Sequence, residues 1–353
     1  MTTIVAIDAG LQSRILATNR KQIRAMLKAA TPGVIGADGA FVYFAAFDGT
    51  NNDRDNVGSI QNTNVVQLFD QVQSAAASNP NLRAAYYAGP GTKGSLSKSA
   101  WLEPAVTQQV IDTARTACDE FANAAAAWLE THPGSAVTSV VTAFSRGSAS
   151  AAVFSQMLFE EGLADPNVPG AALVPPGQVK VTAGVLFDPV MTGVKCNLAF
   201  APIASNLLQI RAQDEYRQEF CAADYSGQQS CVTCIDMLGN HCDIGGGYDN
   251  GIAALTLEAA TKYLRKSGLS IAKVDKFRKF AGVDAIAIHS EEVDDVEHEK
   301  WSVYGHFESQ NIRRPSPRVT DPAVTPATEL RSNGETVYRM TLYNGHAVKV
   351  TLP

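Results

Sequence analysis

The sequence predicts an α/β fold with a doubly wound, mostly parallel sheet covered by helices on both faces, as in α/β-type open sheets. Segments 41–47 (FVYFAAF), 137–144 (VTSVVTAF) and 179–187 (VKVTAGVLF) are short and mainly apolar, as strands buried on both faces must be. Segments of a dozen or more residues with helical spacing alternate with them. The first strand ends in "DGTNND" and the next in "GPGTKG", turn-forming runs that release the chain from the sheet.

Taken in order, residues 10–30 predict a helix with Ile15, Ile23, Met26 and Leu27 near helical spacing, the body of an N-terminal helical extension over 1–40. Strand 41–47 opens a catalytic α/β domain expected over 41–310. A helix carrying Val65, Val66, Leu68, Phe69 and Val72 leads to a second strand, "LRAAYYAG". Residues 104–131 are alanine-rich, begin with Pro104 and stop before His132-Pro133-Gly134, which makes a helix with both punctuation marks. Strand 137–144, helix 148–161, a proline-rich loop through Pro176 and strand 179–187 follow. An insertion at 190–230 is less regular. Its Leu198, Phe200, Ile203, Leu207, Leu208 and Ile210 fit either a cap or lipid-facing surface, or ordinary core packing. "CVTCIDML" predicts another strand and 252–266 another helix. Residues 311–353 divide into a proline-rich linker, "RRPSPRVTDPAVTPATEL", and a hairpin about Asn344-Gly345.

Composition narrows the function. A chain of 353 residues, 45% hydrophobic and 18% charged, builds one large core or two modest ones. The net charge of −6, with basic residues scattered, lacks the cationic surface that nucleic acid selects. The N-terminus has Asp8 in its short apolar stretch and no preceding positive run, so it does not read as a secretory signal, and no segment has the apolar length of a membrane span. The expectation is a chain made in the cytoplasm, compatible with export by a signal-independent machine. Six cysteines are too dispersed for a disulfide scaffold. Cys231 and Cys234 form a C-x-x-C, but without a second pair for zinc, and within a strand pattern rather than opening a helix; thiols on a strand are the plainer reading.

The chemistry centres on "VVTAFSRGSASAAVF", residues 140–154. A nucleophilic serine must project from a tight turn between strand and helix, among small neighbours that let the helix back onto the strand. Ser145 follows strand 137–144 and precedes Gly147, Ser148, Ala149, Ser150 and Ala151. The G-x-S-x-G pattern is met except that Ala143 stands at its first glycine. Alone, Ser145 also reads as a helix N-cap. Its partners favour the nucleophile: in elbow-type α/β sheets the triad runs Ser, then Asp or Glu, then His, and Asp188 follows strand 179–187 while His241 follows the next predicted strand. All three fall at strand ends, where open α/β sheets build their sites. The oxyanion and substrate-binding candidates are Arg146 and, from "FDGTNND", Gly49 and Thr50; Gly49 permits close approach of an amide, while the side chains of Asp48, Thr50 and Asn51 fix the loop.

In this order, "FDGTNND", "YYAGPGT", "AFSRGSA", "LFDPV" and "HCDIGGGYDNG" resemble the uncharacterised α/β-hydrolase domain family that includes phospholipase (lipase) effectors of the bacterial type VI secretion system. The resemblance spans roughly residues 41–266. It implies an α/β-hydrolase core, no cofactor or metal, and a triad of Ser145, Asp188 and His241, with Gly49 in the oxyanion loop. For the effector members it further implies phospholipid substrates, peripheral membrane contact, and an immunity protein or secretion component as partners. Pro189 after Asp188 and Ala143 before the elbow depart from the family pattern without removing a catalytic group.

Some residues offer other readings. His289, after the apolar run "AIAIH", is an alternative triad base. His298 and His306 lie in a polar, acidic stretch and are expected to be exposed. The run "EEVDDVEHE" lacks the spacing of an EF-hand loop and reads as a solvated face. The triple glycine 245–247 has no P-loop lysine and reads as close packing beside the site. The sequence thus predicts a serine ester hydrolase, of phospholipase type by the resemblance. The competing functions are an esterase or thioesterase for small soluble acyl substrates and a non-catalytic α/β binding domain.

Overall fold

The computed structural model describes residues 2–4, 7–55, 62–92, 104–217, 220–291, 314, 316–320, 324–330 and 336–351. His298, His306, all but the first residue of the acidic run 291–299, and the expected boundary at 310 lie outside the described residues.

Six strands form the central sheet: β1 (Phe41–Phe47), β2 (Leu82–Tyr87), β3 (Val137–Phe144), β4 (Lys180–Phe187), β5 (Leu207–Ala212) and β6 (Val232–Met237). Their spatial order is β6-β5-β4-β3-β1-β2, and every neighbouring pair is parallel. The chain runs outward from β1 to β2, then returns to β1's other side and proceeds outward through β3 to β6. The strand order therefore reverses between β1 and β3, and the crevice beyond their carboxyl ends is where such sheets bind ligands.

Helices cover both faces, as the apolar strands require. All seven residues of β1 are buried. Val42, Phe44 and Ala46 join the core built with α1 (Ala9–Ala29), α2 (Asn64–Ala76) and, after a five-residue helix α5 (His241–Gly245), α6 (Ile252–Lys266). Phe41, Tyr43, Ala45 and Phe47 point the other way, into the core shared with α3 (Pro104–Thr131) and α4 (Gly147–Glu160). Each large apolar side chain so buried contributes about 1.5–3 kcal/mol. α4 is buried from Gly147 to Leu158 because its first two turns carry only small side chains. A β-carbon on Gly147 would run into the carbonyl oxygens of Phe47 and Asp48.

The predicted N-terminal helix is present and starts from an Asp8 cap, whose carboxylate accepts the Leu11 amide at 2.7 Å. It lies within the core: buried Asn19 bonds both the carbonyl and the amide of Leu238, just after β6.

Three segments differ from expectation. The irregular insertion contains β5, a strand of the central sheet lying between β4 and β6, and of the two readings of Leu198, Phe200, Ile203, Leu207, Leu208 and Ile210 core packing holds. The proline-rich "linker" also contains strands: Arg318–Thr320 pairs with Asp224–Gly227, and Val324–Leu330 adds a third strand to the expected hairpin, Thr336–Thr341 with Ala347–Thr351. The hairpin docks on the core through Met340, Leu342 and Val350 against Ala199, and the Tyr343 amide donates to Gln156 of α4 at 2.7 Å. Finally, the chain before α1 forms a short strand, Thr2–Ile4, antiparallel to His289–Glu291.

Candidate active site

Ser145 occupies the turn between β3 and α4 with φ 54°, a left-handed backbone that a non-glycine residue adopts at a cost on the order of 1–3 kcal/mol. The turn is held from three sides. The Ser145 amide donates to the Phe187 carbonyl at 3.1 Å, and the Ser145 carbonyl accepts from Ser148 at 3.1 Å and Val190 at 3.2 Å. The bonds with Phe187 and Val190 tie the elbow to the strand end that carries Asp188. The helix cap is Arg146, not Ser145, and no side-chain capping bond is made there. The N-cap alternative therefore does not account for this serine.

Asp188 also has positive φ, 37°, at the end of β4. Its Oδ1 accepts the Ala212 amide at 2.8 Å, from the end of β5. Its Oδ2 lies 2.7 Å from His241 Nδ1. Both residues are buried, Asp188 completely.

His241 is the first residue of α5. The preceding Asn240 forms a capping box with Asp243: its side chain accepts the Asp243 amide at 2.8 Å, and Asp243 accepts the Asn240 amide at 3.0 Å. The box fixes the backbone that aims the imidazole. The ring lies between Phe144, 4.4 Å away between centroids, and Phe220, which meets it edge-on at 4.8 Å. α5 can approach Phe144 because residue 245 is glycine; a β-carbon there would overlap the Phe144 ring. The triple glycine is thus close packing beside the site.

The loop after β1 lies against the elbow. A β-carbon on Gly49 would come within 2.8 Å of the Phe144 ring and 3.0 Å of Ser145 Cβ, so only glycine fits. The Gly49 amide is already engaged, donating to Asp48 Oδ1 at 2.8 Å. This orientation turns it away from the oxyanion role expected from the sequence and leaves the amides of Thr50 and Arg146 as the candidates. Thr50 and Arg146 are linked directly, Arg146 Nη1 donating to Thr50 Oγ1 at 3.1 Å, while Arg146 Nε donates to the Thr192 carbonyl at 2.7 Å. Burial of the Arg146 guanidinium lowers its pKa to about 10.

Asp48 anchors this loop. Its carboxylate accepts from Gly49, from the Thr63 hydroxyl at 2.9 Å and from the Tyr86 hydroxyl at 2.8 Å. Burial nonetheless raises its pKa to about 6, against the three donors that favour the anion.

The electrostatics keep Asp188 charged and His241 neutral. Burial pushes the Asp188 pKa up, but Arg314 and His241 more than reverse this and hold it well below the usual carboxylate range. Burial lowers the His241 pKa, and Asp188 and Glu215 only partly restore it. A neutral ring donating Nδ1–H to Asp188 presents Nε2 as the basic nitrogen.

His289 is placed elsewhere. Its Nδ1 meets Asp243 Oδ1 at 2.6 Å, its amide donates to Asp243 Oδ2 at 3.0 Å, and its ring stacks on Tyr248 at 4.0 Å. It buttresses the capping box beneath His241 rather than pairing with Asp188. Neither Cys231, just before β6, nor Cys234, on β6, is in a disulfide, and no metal-binding cluster occurs among the described residues.

Two participants were not legible in the sequence. Glu215 accepts the His241 amide at 3.3 Å, and Arg314, from the predicted linker, pairs with Asp188. Neither lies in a motif or a periodic segment.

No protein-family model matches the chain, and no curated protein sequence matches it. Solved structures are similar at low identity. An uncharacterised protein from Pseudomonas aeruginosa is 14% identical over 80% of this chain and 52% of its own, with TM-score 0.46. The Tle1 effector, solved bound to the VgrG spike of the type VI secretion system, is 21% identical over 60% of this chain and 51% of its own, with TM-score 0.43. Esterase PE8 is 16% identical over 67% of this chain and 95% of its own, with TM-score 0.31. The chain spans about half the length of the first two.

Proposed function

We propose that the protein is a serine ester hydrolase of phospholipase type. The observation that carries this reading is the pairing of a strained, left-handed Ser145 at a strand-to-helix elbow with a buried His241–Asp188 pair at the adjoining strand ends. In the proposed reaction Ser145 Oγ adds to the acyl carbonyl while His241 Nε2 takes its proton. The amides of Thr50 and Arg146 hold the oxyanion. Collapse breaks the ester C–O bond, the alcohol leaves with the proton from His241, and an acyl-Ser145 remains. Water, deprotonated by His241, then releases the carboxylic acid and restores the serine. Asp188 orients the ring and stabilises its charged form.

Phospholipid as the substrate, contact with a membrane surface, and a secretion component or immunity protein as partner rest on the resemblance of the five motifs to the effector-containing family. No helix among the described residues is long and apolar enough to cross a membrane.

Hydrolysis of a short-chain p-nitrophenyl ester and of mixed phospholipid vesicles, by wild type and Ser145→Ala, tests the reading. Cleavage of both by wild type and loss of roughly a thousandfold in a folded mutant support it. Cleavage of the soluble ester alone favours the esterase or thioesterase function, and inactivity on both the binding domain.

A further inference from the structure

Arg314 lies 126 residues beyond Asp188, before the C-terminal three-stranded sheet, yet the residue is only 8% exposed and its guanidinium faces the triad. Nη1 donates to Asp188 Oδ2 at 2.8 Å and Nη2 donates to Asp188 Oδ1. The same group bonds the carbonyls of Phe220 at 3.1 Å and Ala212 at 3.3 Å. Asp188 Oδ2 is therefore shared between His241 Nδ1 and Arg314 Nη1. Such a fork has one orientation, and it is the one in which Oδ2 faces His241.

We propose that Arg314 is a positioning residue of the active site: a guanidinium delivered by the C-terminal segment that locks the Asp188 carboxylate and shares its negative charge with His241. The inference rests on the hydrolase reading above. A lone carboxylate beside an imidazole strongly favours the protonated ring, whereas one matched by a guanidinium does so less. Arg314 thus keeps His241 available as a base at lower pH, at the cost of weaker stabilisation of the imidazolium.

The other charges facing His241 come from every adjoining element. Glu215, after β5, accepts the His241 amide and is itself paired with Arg217 at 2.7 Å. Asp214 is buried beside it and accepts the Gly239 amide at 2.7 Å. On its own helix, Asp243 is bonded by His289. Among the described residues, only Arg314 bonds the Asp188 carboxylate from the C-terminal segment, and removing it unmasks one negative charge next to the ring.

The test compares wild type, Arg314→Met and Arg314→Lys. The first readout is the pH profile of kcat/KM on a soluble ester. The second is the titration of the His241 ring, followed by NMR with 13C-labelled histidine in the Ser145→Ala background, with His241→Ala identifying the signal. Arg314→Met is expected to move both the acid limb and the His241 titration upward by on the order of one pH unit. Arg314→Lys keeps the charge but not the fork. It is expected to titrate near wild type while kcat falls at every pH, and it decides the question if Arg314→Met does not fold. A His241 titration unmoved in folded Arg314→Met, or Arg314→Lys with wild-type kcat, overturns the proposal. The NMR titration needs no turnover: if it moves while wild type cleaves nothing, the hydrolase reading fails and the Arg314–Asp188–His241 coupling stands.

Discussion

The Phe144 ring lies 4.4 Å from the His241 imidazole, so the residue preceding the proposed nucleophile also backs the proposed base. One aromatic ring thereby spaces two groups that arrive from different strands. The spacing depends on glycines at 49 and 245, since a β-carbon on either would meet that ring.

Gly245→Ala follows from this contact. The added methyl must displace either Phe144 or α5, and overpacking of this kind costs about 1–3 kcal/mol. A lower Tm is expected, together with a fall in kcat exceeding that in KM, because α5 carries His241 and not the bulk of a binding surface. Thermal unfolding and steady-state kinetics check both.

The two buried histidine–carboxylate pairs have separable consequences. His241→Ala is expected to fall to the level of Ser145→Ala, because residues that act as a unit fail together. His289→Gln leaves Asp243 short of a partner and is expected to lose about 1–3 kcal/mol of stability while retaining most of kcat. The opposite ranking in an ester assay would make His289 the base.

Asp48 gives stability a pH dependence of unusual sign. Its folded pKa, about 6, exceeds the ordinary 3.8, so the native state holds the proton more tightly than the unfolded chain. This group's contribution is present below about pH 4 and is lost as pH rises through about 6, by at most about 3 kcal/mol. Urea denaturation at pH 4.5 and 7 should therefore give a pH difference for wild type that is offset from the one for Asp48→Asn. Coinciding differences would mean that Asp48 does not titrate in this range. Asp48→Ala, which orphans the Gly49, Thr63 and Tyr86 donors, is expected to be the more damaging change.

The parts of the fold that local sequence specifies were readable. The apolar runs that became β1, β3 and β4 are buried on both faces, and the Pro104 start and His132-Pro133-Gly134 stop bracket α3 to the residue. Ser145, Asp188 and His241 each follow a strand, so a rule about strand ends located them. β5 was missed because its apolar core, Leu207 to Ile210, sits among irregular neighbours that hide its period. The engagement of the Gly49 amide by Asp48 is not legible in the sequence, because the direction of an amide depends on where the neighbouring carboxylate points. Arg314 was invisible because its role comes from a long-range ion pair, and nothing in a proline-rich segment signals that it reaches the triad.

The most direct test of the central claim is covalent labelling with a fluorophosphonate, followed by peptide mass spectrometry. The account predicts stoichiometric modification mapped to Ser145, abolished in Ser145→Ala and strongly slowed in His241→Ala. A folded wild-type protein that remains unlabelled, or a label carried by another serine, would contradict it.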